Sequence, residues 1–321
     1  MEFIIENHIR KFGETRGRGQ YADATVRNYV SSIRSLHKLV NGPNALFDDL
    51  DWARDHAKVL QTLETKPNHQ TRRNLVNGLI VSLQTLGFAN DIIKPYEDLR
   101  DAYNAQYVKE GHLTPKQRTI MEAVKKKDIL DFLSRESLDP TLTQDLTRFS
   151  CFVILSLHTA YPFRNELGTM RFVRRVIYNK MSEEQKKVNN WVVLTFALTK
   201  YKTDKVYGIK EIEVMPKFTK FILKVCQVRD LKLPDVHNQP VFVTKDGYEF
   251  NKNRVSKHLS EYTTQGVGHP ISTTILAKMF GTTCQDPLNP TLDELARMKE
   301  EADIRGHSLQ TKFAIYGNLS D

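Results

Sequence analysis

YPFRNELGTM, residues 161–170, is the stretch on which the reading of this chain turns. Before it lies an apolar run near 142–159 with the spacing of a buried helix. After it come three β-rich segments, RFVRRVIY at 171–178, a second near 190–199 and VYGIKEIEV at 206–214, whose alternation predicts a small antiparallel sheet. Arg164 therefore stands where a helical pattern gives way to a sheet. The two later segments are joined by Thr199-Lys200-Tyr201-Lys202-Thr203-Asp204-Lys205, a turn rich in lysine. Helical spacing resumes near 216–230, 251–263, 270–281 and 291–303, and a further helix precedes the apolar run near 128–136.

Upstream, helical spacing runs from residue 21 to about 108, in segments near 22–41, 51–64, 68–88 and 92–108. Pro43, Gly87 and the polar run Thr65-Lys66-Pro67-Asn68 supply the breaks. A bundle of four or five helices follows. GHLTPKQRTIMEAVKKK, residues 111–127, is polar and basic. It reads equally as a linker over a phosphate backbone, with Lys116 and Arg118 in contact, or as an ordinary exposed helix. The expected layout is a helical domain over 1–112, a basic linker over 113–127 and a second domain over 128–321. The fold class is mainly α with a small antiparallel sheet (α+β).

The 321 residues exceed the usual size of one domain, and 40% hydrophobic content is enough for two cores. Net charge is +9, and it is unevenly placed. Residues 1–112 hold 15 basic and 14 acidic side chains, leaving 32 and 24 for the rest, so the balance is +1 against +8. A basic surface favours a polyanionic partner, because each cation set against a phosphate releases a condensed counterion. Cys151, Cys226 and Cys284 form no CxxC pair and no His/Cys cluster, which argues against a zinc site and a disulfide framework. The opening run carries acidic residues, and no stretch reaches the roughly 18 apolar residues of a membrane span. A soluble intracellular protein without cofactor or metal is the expectation.

Cutting a phosphodiester without metal requires a nucleophile, positive donors around the non-bridging oxygens and an acid for the departing oxygen. Arg164, Lys202, His307 in RGHS and Tyr316 supply these types in chain order. Nine residues separate His307 from Tyr316, a net rotation of about 180° on one straight helix. Both side chains face one site only if the chain breaks after about Ser308.

YPFRNEL, YKTDKVYG and RGHSLQTKFAIYG resemble the first-arginine box, the β-hairpin lysine and the histidine-to-tyrosine box of the tyrosine recombinase (phage integrase) family. With LTPKQ ahead of them, their wording is most similar to the Crypton-type recombinases of mobile elements and large DNA viruses. The resemblance covers about residues 110–318 and implies that the N-terminal helices are a DNA core-binding domain. It implies further that Arg164 grips two phosphate oxygens, which a planar guanidinium does and an ammonium does not. Lys202, among the neighbours Lys200 and Lys205, protonates the leaving 5'-hydroxyl; His307 donates to the phosphate; Tyr316 attacks. A phenol with an ordinary pKa near 10 needs such cationic neighbours. The implied product is a 3'-phosphotyrosyl link that reseals without ATP or metal. The implied partners are double-stranded DNA carrying a specific recombination site and further copies of the chain, dimer to tetramer.

The chain departs from the family in its second box. GHPISTTILAKMFGTT places Thr274 at the histidine position and Ala277 at the arginine position of His-x-x-Arg. Alanine offers no donor, and losing one such donor costs about a hundredfold to a thousandfold in rate. Three accounts stay open: a deliberate replacement, a natural inactive relative, or rescue by Lys278 or Arg254. Only five residues follow Tyr316, so either the chain is cut short or assembly uses other contacts. The alternatives to a recombinase are a DNA-binding relative without chemistry and type IB topoisomerase-like relaxation of supercoils.

Overall fold

The computed structural model of the chain describes residues 2–15, 21–109, 113–192, 195–199, 208–232, 237–281 and 291–305. It divides into two compact units at Pro115/Lys116. Both are mainly helical, and the second holds the small sheet.

Among the described residues the first unit is a bundle of five helices: α1 (Glu2–Thr15), α2 (Asp23–Asn41), α3 (His56–Glu64), α4 (His69–Thr85) and α5 (Asn90–Lys109). On α2 the buried residues are Val26, Val30, Ile33, Leu36, His37 and Val40, the stripe an amphipathic helix turns to a core. Asp55 caps α3 through the Lys58 amide at 3.0 Å, and Asn68 caps α4 through the Gln70 amide at 2.8 Å, each satisfying an amide that the helix itself leaves unpaired. α4 crosses α2 at Gly78, where an added Cβ would lie 2.7 Å from Ser32 Cβ, so the close approach requires glycine. α1, which the apolar spacing did not delimit, contributes the fully buried Ile5 and Ile9.

In the second unit α6 (Pro115–Ala123) and α7 (Lys126–Leu138) precede α8 (Leu146–His158). The stretch 113–127 thus carries a helix whose Ile120, with Val124 just beyond it, joins the core of this unit. Every residue of α8 from Phe149 to His158 is buried, as its all-round apolar pattern requires. The buried hydroxyls of Ser150 and Ser156 are satisfied by the carbonyls of Val243 and Phe152.

The sheet runs β1 (Arg171–Phe172), β2 (Asn190–Val192), β3 (Thr195–Leu198), β4 (Lys210–Glu213), in that order. It is mixed. β2/β3 and β3/β4 are antiparallel, with Trp191 opposite Phe196 and Ala197 opposite Glu211, whereas β1 runs parallel to β2. The difference arises because RFVRRVIY is not one strand: after Phe172 it turns into α9 (Arg175–Tyr178), and the chain returns to the sheet in the same direction. The segment near 190–199 is likewise two strands. Among the described residues, four further helices follow: α10 (Pro216–Val228), α11 (Lys252–Val267), α12 (Thr273–Phe280) and α13 (Leu292–Arg305). No described helix is long and apolar enough to cross a membrane.

Candidate nucleic-acid active site

Arg164 sits where α8 has ended and a short 3-10 helix (Asn165–Thr169) begins, and the residues on either side fix it there. Tyr161 and Phe163 stack at 5.2 Å, and both meet the Phe196 ring edge-on, at 5.5 and 5.2 Å. The Tyr161 hydroxyl donates to Glu213 O at 3.1 Å and accepts from the Met215 amide at 2.6 Å, tying the loop to β4. Such aromatic pairs are each worth about 0.5–1.5 kcal/mol beyond their buried area. On the other side, Asn165 Nδ2 donates to Ser256 Oγ of α11 at 2.6 Å, and Thr273 Oγ1 of α12 donates to Asn165 Oδ1 at 2.9 Å. Gly168 lets the 3-10 helix lie flush on α11, since a Cβ there would fall 2.2 Å from Val255 Cγ2. Arg164, itself half-buried, is held between the sheet and two helices.

Two buried basic groups also meet this loop. Arg305, the last residue of α13, is 5% exposed and donates from Nη1 to Pro162 O at 3.1 Å. His158, the last residue of α8, is buried; its Nδ1 lies 2.8 Å from Ile154 O, and its ring also faces the backbone of Phe163 and Arg164. Burial, followed by the charge of Arg305, pushes the His158 pKa down to about 4, so the imidazole is neutral at physiological pH. On α12, Lys278 is 4% exposed, and its pKa is pulled down to about 8 by burial and then by Arg305. Ala277, 2% exposed, borders a small cavity of about 10 Å³ that it shares with His158, Pro162, Phe280 and Glu301. Glu166 is buried in the same loop. The arrangement gathers guanidinium, ammonium and imidazole groups in a part of the protein from which water is largely withdrawn, a setting in which charge on a ligand is felt strongly.

Of the residues expected at the site, Ala277 shares a small cavity with His158 at the end of α8 and Glu301 of α13, Lys278 lies within reach of the Arg305 charge, and the backbone of Arg164 faces the His158 ring. Thr274 is half-buried on α12. Arg254 points elsewhere: its Nη1 donates to Glu249 O at 2.8 Å and its guanidinium lies over the Tyr248 ring. Lys116 and Arg118 are exposed on α6. Lys200, Lys202, Lys205, His307 and Tyr316 lie outside the described residues. Sequence reasoning missed two groups. Arg305 opens RGHS and His158 lies in an apolar helix, and nothing local in the sequence marks either as buried beside Pro162. Among the described residues, no group of three or more His, Cys, Asp or Glu side chains is placed to hold a metal.

No family model matches the chain, and no curated protein matches it. Among solved structures, the crystal structure of XerA recombinase aligns over 99% of this chain and 94% of its own, at 12% identity and a TM-score of 0.41.

Proposed function

We propose that this chain is a site-specific DNA recombinase or integrase that cuts and rejoins duplex DNA through a tyrosine. The observation that carries the reading is the setting of Arg164: a guanidinium on a loop braced from three sides, in company with buried basic groups, in the unit that bears nearly all of the net positive charge. In the reaction proposed, the Tyr316 phenolate attacks the scissile phosphorus and the bond to the 5'-oxygen breaks. Lys202, with Lys200 and Lys205 beside it, gives that oxygen its proton; Arg164 and His307 bind the non-bridging oxygens. The reverse attack by a 5'-hydroxyl restores the backbone and frees Tyr316, so no energy source is consumed. The helical first unit contacts DNA as well, and so do Lys116 and Arg118 at the start of the second. Exchange between two duplexes takes about four such sites, so copies of the chain are partners. The wording of the boxes favours a Crypton-type element or large DNA virus and a DNA-containing compartment, nucleus or viral factory.

Ala277 favours a second reading, a DNA-binding relative without strand exchange; a relaxing, topoisomerase-like activity is the same chemistry without synapsis. A nicked suicide duplex separates them. The recombinase reading expects a covalent protein–DNA band that vanishes in Tyr316→Phe; no band from the parent chain, with DNA still bound, selects the second.

A further inference from the structure

Among the described side chains, Tyr248 is the one Phe, Tyr or Trp that stands exposed, at 63%; every other is buried or half-buried. A ring left in water forgoes a large burial, and this one is held out by the chain around it. It lies on a turn between Val243 and Glu249, which pair as an isolated antiparallel bridge. The Gly247 amide donates to Thr244 O at 2.9 Å, the Thr244 amide to Tyr248 O at 2.8 Å, and the Tyr248 amide to Thr244 Oγ1 at 3.2 Å. Gly247 supplies the positive φ, 79°, that this turn requires. The Lys245 amide donates to Thr147 Oγ1 of α8 at 2.8 Å, fixing the tip to the body of the unit. From α11, Arg254 donates through Nη1 to Glu249 O at 2.8 Å and lays its guanidinium 5.4 Å from the centre of the Tyr248 ring. We propose that Tyr248, backed by Arg254, is a stacking platform for an unpaired base of a DNA strand.

A base stacks on an aromatic ring whatever its sequence, and a guanidinium beside the ring adds to the hold. In a paired duplex each base is covered above and below by its neighbours, so an unpaired base is the one that offers a face. The surroundings suit a strand's backbone. Lys245 on the turn and Lys252 at the start of α11 are exposed, and of the two carboxylates on the turn, Asp246 and Glu249, the second is taken by Arg171. An apolar protein partner finds no second foothold, since among the described residues from 237 to 281 no other large apolar side chain is exposed. Arg254 precedes Ser256, the anchor of Asn165, by two residues, about 200° around the helix. The platform therefore opens on a different side of α11 from the Arg164 loop and takes a nucleotide other than the one whose phosphate Arg164 binds. It rests on the strand-exchanging reading above for its occasion: a cut strand is unpaired while it passes from one duplex to the other.

The experiment compares the parent chain with Tyr248→Phe, which keeps the ring, and Tyr248→Leu, which keeps an apolar side chain without one. The probes are a short thymidine strand carrying 2-aminopurine at alternate positions and the same strand annealed to its complement. Affinities are read by fluorescence anisotropy at one fixed ionic strength, because binding of either probe falls steeply with salt. Tyr248→Leu should bind the single strand about tenfold more weakly and the duplex within about twofold of the parent, whereas Tyr248→Phe should stay within about twofold on both. Stacking has its own signal: the aminopurine emission of the single strand should be quenched by the parent and by Tyr248→Phe, and not by Tyr248→Leu. Covalent adduct formation on a nicked suicide duplex is followed in parallel.

Single-strand affinity of Tyr248→Leu within about twofold of the parent, or equal losses on single strand and duplex, overturns the proposal. So does a parent that binds no single strand, whether or not it forms adduct. Because the ring is exposed, the variants should melt like the parent; should Tyr248→Leu fail to fold, the parent decides, and aminopurine emission that it leaves unquenched overturns the platform. Adduct formation together with single-strand binding indifferent to residue 248 removes the platform and leaves the strand-cleaving reading in place. Ring-dependent binding and quenching without adduct do the reverse.

Discussion

Thr273 Oγ1 on α12 donates to Asn165 Oδ1 at 2.9 Å, across 108 residues of sequence, and the Asn165 amide passes the link on to Ser256 of α11. One side chain therefore ties the Arg164 loop to both helices that flank it. Asn165→Ala removes the acceptor for one hydroxyl and the donor to another, at a cost of about 1–3 kcal/mol in urea unfolding. Because a small misplacement of a positioned group is felt mainly in the chemical step, adduct formation should slow by about tenfold or more while DNA affinity stays within about threefold. Equal losses in binding and rate would mean that Asn165 serves the fold and not the aim of Arg164.

Acid should weaken the fold through His158. Its folded pKa of about 4 lies below the unfolded value of 6.5, so the contribution is complete above 6.5 and disappears as pH falls towards 4. Between about pH 7.5 and about pH 5 the parent should lose roughly 2 kcal/mol more than His158→Gln, whose amide does not titrate. Denaturant midpoints at the two pH values measure the difference. If parent and variant lose the same amount, the imidazole is not the neutral buried group described.

Gly168→Ala places a methyl 2.2 Å from Val255 Cγ2, too close for a van der Waals contact. Either α11 moves away or the 3-10 helix shifts, and with it Arg164. A loss of about 1–3 kcal/mol is expected. Val255→Ala in the same chain opens room for the methyl, so the double variant should be less unstable than the sum of the two singles. Strict additivity would show that α11 is not packed on the loop in solution.

The helices of the first unit and the later helices of the second were legible because their apolar residues recur at helical spacing with polar breaks between. The sheet was less so. RFVRRVIY alternates like a strand, yet only Arg171–Phe172 pairs, and the segment near 190–199 holds two antiparallel strands with no glycine or proline in the sequence to separate them. Arg164 and the anomaly at Ala277 were visible as departures in residue type. His158 and Arg305 were not, because their meaning comes from burial beside Pro162 and Arg164, contacts made at long range that no local pattern carries.

Lys278 gives the sharpest test of the buried cations, because its cost and its use have opposite signs. Its folded pKa of about 8 lies below the unfolded 10.5; the stability tied to deprotonation is present above 10.5 and lost as pH falls through 8. At neutral pH the ammonium is charged and only 4% exposed, and the charge of Arg305 adds to the cost of holding it there. Lys278→Met keeps the volume and drops the charge, so at pH 7 it should stabilise the protein by roughly 1–3 kcal/mol. The gain should shrink as pH is raised from about 8 towards 10.5, where the parent lysine is itself neutral. The same variant should bind DNA slightly more weakly at pH 7, since the second unit loses one positive charge. Urea unfolding across this pH range, with DNA titrations at neutral pH, measures both. A variant that is less stable than the parent at neutral pH would show that the contacts Lys278 makes in the fold outweigh the cost of burying its charge.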